Sequence, residues 1–299
     1  MRKIVWIMLA AMLLTFAACG GDAVSEQSVP TPALETVTPD CGEPTPTPTA
    51  EPTPVPTWSQ EPEELTMDLE GETYTVMGFR YTSHLGYSMV YDPDWVRPEQ
   101  YEGYDYYTAV TEVHMPEIYM QITKTDQTIE QVISDLEAQG AEQVGISRFG
   151  GCRGVQLAED NGLVVVAYYV TQAGDTVYIL ETSYFWEAAE GFGARMWAML
   201  ETIEFADAPK ASELKLMFRD KEIKDFTSAM GESTYITLWA DEGASLEPAE
   251  WTVDEKALVN LYTDDTGCYI EVVGEGIAKV TAKCGDLEQS VIVRCIKEW

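Results

Sequence analysis

A cysteine flanked by glycines is the part of this chain that comes closest to a catalytic nucleophile. Cys152 lies in the segment Gly-Gly-Cys-Arg-Gly, residues 150–154, which matches a glycine–nucleophile–glycine elbow. Such an elbow works only where a strand turns sharply into a helix beside a histidine base. The residues that follow, Val-Gln-Leu-Ala at 155–158, are instead typical of a strand. We therefore expect a glycine-rich hairpin turn that contains a passive cysteine.

The histidines and the acidic pairs do not form a recognisable metal site. The chain has two histidines, His84 and His114, and neither stands in a metal-ligand spacing. Acidic pairs occur at Asp92/Asp94 and Asp264/Asp265. Such pairs attract calcium, but no stretch has the ligand spacing of an EF-hand loop. We expect surface or packed histidines, solvated carboxylates, no metal, no cofactor and no catalytic residue.

The segment from 87 to 107 is rich in aromatic residues. It contains Tyr87, Tyr91, Trp95, Tyr101, Tyr104, Tyr106 and Tyr107, with acidic residues between them. Tyrosine and tryptophan offer a flat apolar surface with a polar edge, which suits stacking on sugars or anchoring a protein partner. The alternative is that alternate members fill the core. For a ligand-binding surface in this region, the sequence favours Trp95, Tyr101 and Tyr104.

Residues 1–19 have the pattern of an export signal. Arg2 and Lys3 precede an apolar run at 4–16, which is too short for a permanent membrane span. The run ends in Phe-Ala-Ala-Cys-Gly, and small residues before Cys19 suit a lipoprotein signal peptidase. We expect Cys19 to carry a diacylglyceryl group that holds the protein in a lipid bilayer. The alternative is an ordinary secretory signal in which Cys19 is accidental.

Residues 20–64 have no hydrophobic period. Nine of the fifteen prolines fall between Pro30 and Pro56, and many alternate with threonine. This composition favours extended polyproline II, at about 3.1 Å per residue. It predicts a disordered, semi-rigid spacer on the order of 100 Å long. The sequence leaves open whether its threonines carry sugar.

The formal net charge of −33 restricts the partners of the chain. So acidic a surface repels nucleic acid and anionic lipid headgroups, and we expect no nucleic-acid binding. Besides Cys19, the cysteines are Cys41, Cys152, Cys268, Cys284 and Cys295. An odd, scattered set does not predict a disulfide framework. One bridge among the last three and free buried thiols both remain open.

Short strands and two helices are predicted for residues 65–207. Apolar residues recur at helical spacing in Ile129, Val132, Ile133 and Leu136. Thr128 and Gln131 provide a capping box for this helix, and Gly140 provides its end. A second helix is predicted for about 186–203. Because the other elements read as hairpin-connected strands, the fold class is α+β, with helices beside an antiparallel sheet.

Both ends of this region resemble a PsbP-like domain. Residues 81–95 (Tyr-Thr-Ser-His-Leu-Gly-Tyr-Ser-Met-Val-Tyr-Asp-Pro-Asp-Trp) combine a glycine–aromatic pair, a strand and a Pro-x-Trp motif. Near the other end, a tyrosine-rich hairpin precedes a helix that runs into Thr-Ile-Glu-Phe at 202–205. The resemblance implies a small α/β/α sandwich that binds proteins or stabilises complexes. It supplies no common active site.

Residues 213–299 read as an all-β domain. Apolar residues alternate in about seven short strands separated by glycine-containing turns, which predicts a sandwich. The segment resembles a group 2 bacterial immunoglobulin-like domain in Gly231 before an alternating strand, in Trp251 within Glu-Trp-Thr-Val-Asp, and in Gly-Glu-Gly-Ile-Ala-Lys-Val-Thr-Ala at 274–282. The resemblance implies a module of cell-surface proteins, adhesins included, often a rigid spacer. It places Trp251 in the core between two sheets.

Together these features predict a lipid-anchored protein on the extracellular face of a bacterial cell membrane. The first hypothesis is a non-enzymatic cell-surface binding or adhesion module that contacts a cell-wall polymer or a surface protein. The second, based on the PsbP-like resemblance, is an accessory factor for the folding or assembly of exported proteins. The third is a surface hydrolase that uses Cys152 or an acidic pair.

Overall fold

The protein is mainly β, with two helices and several antiparallel sheets. We describe it from a computed structural model, which covers residues 56–69, 71–111 and 115–297. Cys19, Cys41 and His114 lie outside these residues, as do the expected leader and most of the expected spacer. Within the described ranges, no helix has both the length and the apolar character needed to cross a bilayer.

Eleven strands and both helices belong to the first part of the fold. In chain order the strands are β1 (Thr57–Leu69), β2 (Glu72–Thr82), β3 (Tyr87–Tyr91), β4 (Val96–Tyr101), β5 (Tyr104–Ala109), β6 (Tyr119–Thr125), β7 (Glu142–Phe149), β8 (Cys152–Asp160), β9 (Val164–Ala173), β10 (Thr176–Phe185) and β11 (Glu204–Phe205). Helix α1 (Ile129–Gln139) lies between β6 and β7, and α2 (Ala194–Glu201) between β10 and β11.

These strands form two sheets around one main core. One sheet has the order β1-β2-β3-β11, and the other has the order β4-β5-β6-β10-β9-β8-β7. Their facing sides and α2 contribute the buried side chains, among them Met89, Met120, Ile122, Leu180 and Met199. Helix α1 packs on the opposite side of the seven-stranded sheet, with Val132 and Leu136 against Leu157 and Val170.

The first helix has the ends that the sequence predicts. The Thr128 side chain accepts a hydrogen bond from the Gln131 backbone, and the Gln131 side chain accepts one from the Thr128 backbone. Gly140 closes the helix in the left-handed conformation, with a φ of 112°. These local bonds satisfy backbone groups that a helix end leaves free, so the chain needs no distant contact to define α1.

The second helix is shorter than the predicted span of about 186–203. Its α-helical part is Ala194–Glu201, and it is preceded by a 3-10 turn at Trp186–Ala188 and a π turn at Ala189–Gly193. Gly191 and Gly193 lie in this irregular stretch. Glycine weakens an α-helix by about 1 kcal/mol relative to alanine, which explains why the regular helix begins late.

The first strand begins inside the segment 20–64 that the composition assigns to a spacer. Strand β1 starts at Thr57 and pairs with β2. The Trp58 ring lies 5.4 Å from the Tyr81 ring, centre to centre, and so covers a buried tyrosine. A proline-rich composition hides this strand because its pairing partner lies about 20 residues further along the chain. The expected spacer therefore overlaps the sheet from Thr57 onward.

The second part is built from nine strands in two further sheets. The strands are β12 (Lys215–Phe218), β13 (Lys221–Glu222), β14 (Asp225–Ala229), β15 (Ser233–Trp239), β16 (Ala249–Val253), β17 (Val259–Thr263), β18 (Gly267–Val272), β19 (Gly276–Cys284) and β20 (Leu287–Ile296). The sheets have the orders β13-β12-β15-β18-β17 and β14-β20-β19-β16. All pairs are antiparallel except β14 with β20, which is parallel.

Both of these sheets contribute to a second core. Its fully buried side chains include Ile236 and Ile270 from one sheet and Val280 and Val293 from the other. Trp251 lies on the edge strand β16, where its half-buried ring packs partly against this core and its indole nitrogen is buried without a partner. The centre between the sheets is therefore filled by aliphatic residues, with the tryptophan at its border.

The cysteines of the described region are free thiols. Cys152, Cys268, Cys284 and Cys295 are all buried and none is bonded to another. Cys152 and Cys268 contribute to the main core and the second core, respectively. These contacts agree with the interpretation of small apolar packing residues rather than a bridge among the last three.

The two parts meet through close backbone contacts. The Gly174 N–H donates to Gly243 O at 2.8 Å, and the Leu246 N–H donates to Gly151 O at 2.9 Å. A β-carbon added to Gly243 would collide with the Gly174 carbonyl, so only glycine fits at this approach. The junction is therefore built from backbone groups that lie too close together for side chains.

We expect Gly243→Ala to destabilise the protein by about 3 kcal/mol, because it adds both left-handed strain and a collision with Gly174. Gly231→Ala is the matched control: its φ is also positive, at 83°, but a β-carbon there meets nothing within 4 Å. It should cost about 1 kcal/mol. Urea unfolding and the rate of proteolysis in the connector 206–212 measure both effects. Equal losses for the two variants would contradict the close approach.

Candidate functional site

Alternation along strand β5 divides its side chains between the main core and an outer face. Asp105 and Tyr107 are buried, whereas Tyr104, Tyr106 and Thr108 are half-buried and point to the other side. The side chains of β4 and β6 alternate between the same two faces, because both strands pair with β5 in antiparallel register. Helix α1 packs on the outer face over β8 to β10. The outer side chains of β4 to β6 lie beside it.

Five tyrosines on this outer face form what we call the tyrosine face: Tyr101, Tyr104, Tyr106, Tyr119 and Tyr168. The Tyr101 and Tyr104 rings stack with centres 4.9 Å apart and an interplanar angle of 11°. The Tyr106 and Tyr119 rings stack with centres 5.0 Å apart. Tyr101 is 43% exposed and the others are half-buried. The face crosses five neighbouring strands, which at about 4.8 Å per strand gives a width of roughly 19 Å.

Glu181 on β10 joins two of these tyrosines. It is half-buried and lies opposite Tyr168 on the neighbouring strand, and its Oε1 accepts a hydrogen bond from the Tyr119 hydroxyl at 2.5 Å. Burial raises the pKa of Glu181, while the Tyr119 bond acts in the opposite direction. Burial, together with the charges of Glu181 and Glu159, raises the pKa of Tyr168 to about 12. Tyr168 is therefore a neutral phenol at physiological pH.

Polar side chains occupy the positions between the rings. The Tyr101 hydroxyl donates to Glu99 at 2.8 Å, and the Gln121 amide donates to the Thr123 hydroxyl at 3.1 Å. Burial, and then the charges of Glu181 and Glu99, raise the pKa of Tyr106. The face thus combines flat aromatic surface with hydroxyl, amide and carboxylate groups.

The structure separates the three aromatic residues that the sequence favours. It brings Tyr101 and Tyr104 together as a stacked pair on the tyrosine face. Trp95 instead packs toward the main core, with its ring centre 5.3 Å from that of Phe192 and the Arg195 guanidinium carbon 5.7 Å away. A ligand on the tyrosine face would therefore meet Tyr101 and Tyr104 while Trp95 serves the core.

Other members of the aromatic segment form a buried polar network around Asp105. The carboxylate is 0% exposed, and its Oδ2 accepts hydrogen bonds from the Ser83 hydroxyl at 2.5 Å and the Tyr87 hydroxyl at 2.6 Å. The Tyr87 and Tyr107 hydroxyls are 2.8 Å apart. His84 Nδ1 lies 3.8 Å from the second carboxylate oxygen. This network binds β3, β5 and the turn before β3 to one another.

Cys152 and the acidic pairs, which the sequence singles out for possible chemistry, have structural roles. Cys152 is fully buried on β8, and burial raises its pKa to about 11, so it is a thiol at neutral pH. Asp92 accepts a bond from the Asp94 backbone, and Asp264 accepts bonds from the 266 and 267 backbone amides. In the part of the chain that the structure describes, no three metal-ligating side chains cluster.

No protein-family model matches the chain, and no curated protein matches it. Among solved structures, it is similar to a protein from Bacteroides thetaiotaomicron VPI-5482, with 17% identity and a TM-score of 0.30. The match covers 44% of this chain, and the chain spans about half of that protein, at 49%. A similarity of this size assigns neither a family nor a function.

Three members of the outer face do not stand out in the sequence: Tyr119, Tyr168 and Glu181. A signal for the first exists in β6, where Tyr119, Gln121 and Thr123 alternate with buried apolar residues. Polar alternation of this kind indicates a strand with one solvated face. Nothing local links β6 with β10, since their pairing joins residues more than 50 positions apart, and β9 reaches the face only through β10.

We expect Glu181→Gln to raise the melting temperature at pH 7. The folded state raises the pKa of Glu181, so it favours the protonated form and loses stability as the pH rises through that pKa. Glutamine removes this loss and still accepts the Tyr119 bond. The difference should vanish as the pH falls below 4.5, the ordinary value for a glutamate. Thermal unfolding from pH 4 to 8, with the exposed Glu187→Gln as control, measures it. A destabilised Glu181→Gln at pH 7 would contradict the assignment.

Proposed function

We propose that the protein is a lipid-anchored, extracytoplasmic binding protein without enzymatic activity, and that its tyrosine face holds a neutral glycan of the cell envelope. The observation that carries this proposal is the set of stacked, half-exposed tyrosines on one side of a sheet. Aromatic rings present flat apolar surfaces to the C–H faces of sugars, and the polar groups beside them bond to sugar hydroxyls.

The side chains between the rings favour a glycan over a protein partner. On their outer side, β4, β5 and β6 present tyrosine, threonine, glutamine, glutamate and arginine. Protein interfaces combine aromatic anchors with an apolar, well-packed centre, and such a centre is not formed by these side chains. The width of roughly 19 Å suits an oligosaccharide that crosses several strands.

The charge of the face favours a neutral glycan. Glu99 and Glu181 lie among the tyrosines, and the chain as a whole carries a formal charge of −33. An acidic wall polymer would be repelled by both. Sugar hydroxyls, by contrast, donate well to carboxylates, since hydrogen bonds to charged acceptors are the stronger ones.

The expected location of the protein follows from its leader and its spacer. Acylation of Cys19, with removal of the residues that precede it, would hold the protein to the outer side of a cell membrane, and the proline-rich spacer would carry the folded part outward. We interpret the first part, 65–207, as a PsbP-like domain and the second, 213–299, as an immunoglobulin-like domain. Support comes from the sheet with helices in the first part and the two facing sheets in the second.

Affinity electrophoresis of the purified full-length protein tests this function. We expect gels that contain a soluble neutral polysaccharide to retard the protein, and gels that contain an acidic polysaccharide to leave its mobility unchanged. The same protein coupled to beads is then offered an envelope extract. Capture of an exported protein, with no retardation by any glycan, would contradict the proposal and favour an accessory role in folding or assembly.

A further inference from the structure

A cavity lies where the two parts of the molecule meet, and none of the five tyrosines of the tyrosine face lines it. Its volume is about 400 Å³, within the range of small-molecule sites. Ile129 and Ile133 of α1 and Val155 of β8 form an apolar wall on one side. Trp239 at the end of β15 and the loop that follows it form the other wall. The cavity therefore exists only in the assembled fold.

Arg153 extends into this cavity and has no charged partner there. Its guanidinium carbon lies 4.0 Å from the centre of the Trp239 ring. Its Nε is buried without a partner, and its side chain forms no hydrogen bond or ion pair with any residue in the described ranges. Asp220 acts on it only at longer range. In a chain with 51 acidic and 18 basic residues, a half-buried arginine without a carboxylate partner is unexpected.

The neighbouring arginine, Arg148, has a structural role and serves as a comparison for Arg153. Arg148 faces Arg153 across the β7–β8 pair. Its guanidinium donates to three backbone carbonyls, those of Gly151, Leu238 and Asp265, at 2.9 to 3.1 Å. Arg148 thus bonds the two parts of the fold together. Arg153 contacts only a ring face, and its remaining donors are available to a bound molecule.

Carboxylates line the more exposed rim of the cavity, and none of them forms an ion pair with Arg153. Glu130 and Glu242 line it from opposite walls and are exposed. Asp241 also lines it, and bonds from Ser212 lower the pKa of its carboxyl, which keeps it ionised. The cavity therefore presents a positive group inside, apolar walls, and negative groups at its mouth.

We propose that this cavity binds a small zwitterion with an apolar side group, namely an amino acid or a short peptide. The carboxylate lies on Arg153, where a guanidinium holds it with two parallel bonds. The apolar group lies against Ile133 and Val155, and the ammonium group faces the carboxylates at the rim. This inference is independent of the glycan site.

Isothermal titration of the full-length protein with L-phenylalanine and with leucyl-leucine tests the proposal. We expect binding of at least one of these zwitterions. L-phenylalaninamide, which lacks the carboxylate, and 3-phenylpropanoate, which lacks the ammonium group, should each bind about tenfold or more weakly. Inorganic phosphate should not bind. Equal binding of the amide, binding of phosphate alone, or no binding of either zwitterion would overturn the assignment.

Two variants separate the site from the stability of the junction. Arg153→Gln should weaken binding about tenfold or more, while Arg294→Gln, which removes an exposed arginine paired with Asp225 of β14, should leave it unchanged. Ile133→Trp fills the cavity without touching Arg153 and should abolish binding even if Arg153→Gln fails to fold. Unchanged affinity in a folded Arg153→Gln, or in Ile133→Trp, would also overturn the assignment.

Discussion

Replacing Tyr106 by alanine is expected to weaken binding of a neutral oligosaccharide by about 30-fold. Tyr106 lies in the middle of the tyrosine face, stacked on Tyr119 and paired across the strands with Glu99 and Gln121. Central aromatic residues that are flanked by other contacts cost about 2 kcal/mol or more when truncated, which corresponds to this loss. Titration with neutral hexasaccharides of glucose, mannose and N-acetylglucosamine gives the dissociation constants.

Two further variants decide whether the ring itself is responsible. Tyr106→Phe keeps the stacking surface and should retain affinity within about threefold, since an exposed hydrogen bond contributes about 1 kcal/mol or less. Tyr262→Ala removes a tyrosine that is 56% exposed on β17, away from the face, and should leave binding unchanged. A Tyr262→Ala protein that binds as weakly as Tyr106→Ala would place the site elsewhere.

Replacing Asp105 by alanine is expected to destabilise the protein by about 3 kcal/mol. The change removes the acceptor for two buried hydroxyls, those of Ser83 and Tyr87, and each unsatisfied buried group costs about 1–3 kcal/mol. For a domain of this size, the melting temperature should fall by about 6–12 °C. Urea unfolding followed by tyrosine and tryptophan fluorescence measures the free energy.

Asp105→Asn and Asp94→Ala serve as the comparisons for this loss. Asparagine keeps an oxygen that accepts from Ser83 and Tyr87, so its cost should be about 1 kcal/mol. Asp94 is exposed, and its replacement should change the free energy of unfolding by less than about 0.5 kcal/mol. If Asp105→Ala were as stable as Asp94→Ala, the buried network would contribute nothing to the fold.

Helices and strands of this fold can be predicted from the sequence where they are stabilised by residues close together in the chain. The ends of α1 follow from Thr128, Gln131 and Gly140, because each bond of the cap joins residues a few positions apart. The strand after Cys152 follows from the apolar pattern of 155–158 in the same way. Such elements are specified by propensity and hydrogen bonds within one turn or one strand.

The same reasoning fails where a partner lies far along the chain. Strand β1 is stabilised by pairing with β2 and by the contact of Trp58 with Tyr81. The Trp95 ring packs toward the main core because it contacts Phe192, which lies almost a hundred positions further along the chain. Tyr168 joins the tyrosine face only because the β9–β10 hairpin pairs through β10 with β6, more than 50 positions earlier in the chain. Such placements follow from the order of strands in a sheet, and a local pattern does not determine that order.

The most direct test of the central claim is a nuclear magnetic resonance titration of the full-length protein with labelled tyrosine rings. We predict that a neutral hexasaccharide shifts the ring signals of Tyr101, Tyr104 and Tyr106, assigned by single substitution to phenylalanine. The signals of Tyr262 and Tyr269, which lie on the exposed side of the second part, should stay in place. Shifts at the latter two, with none on the tyrosine face, would contradict the account.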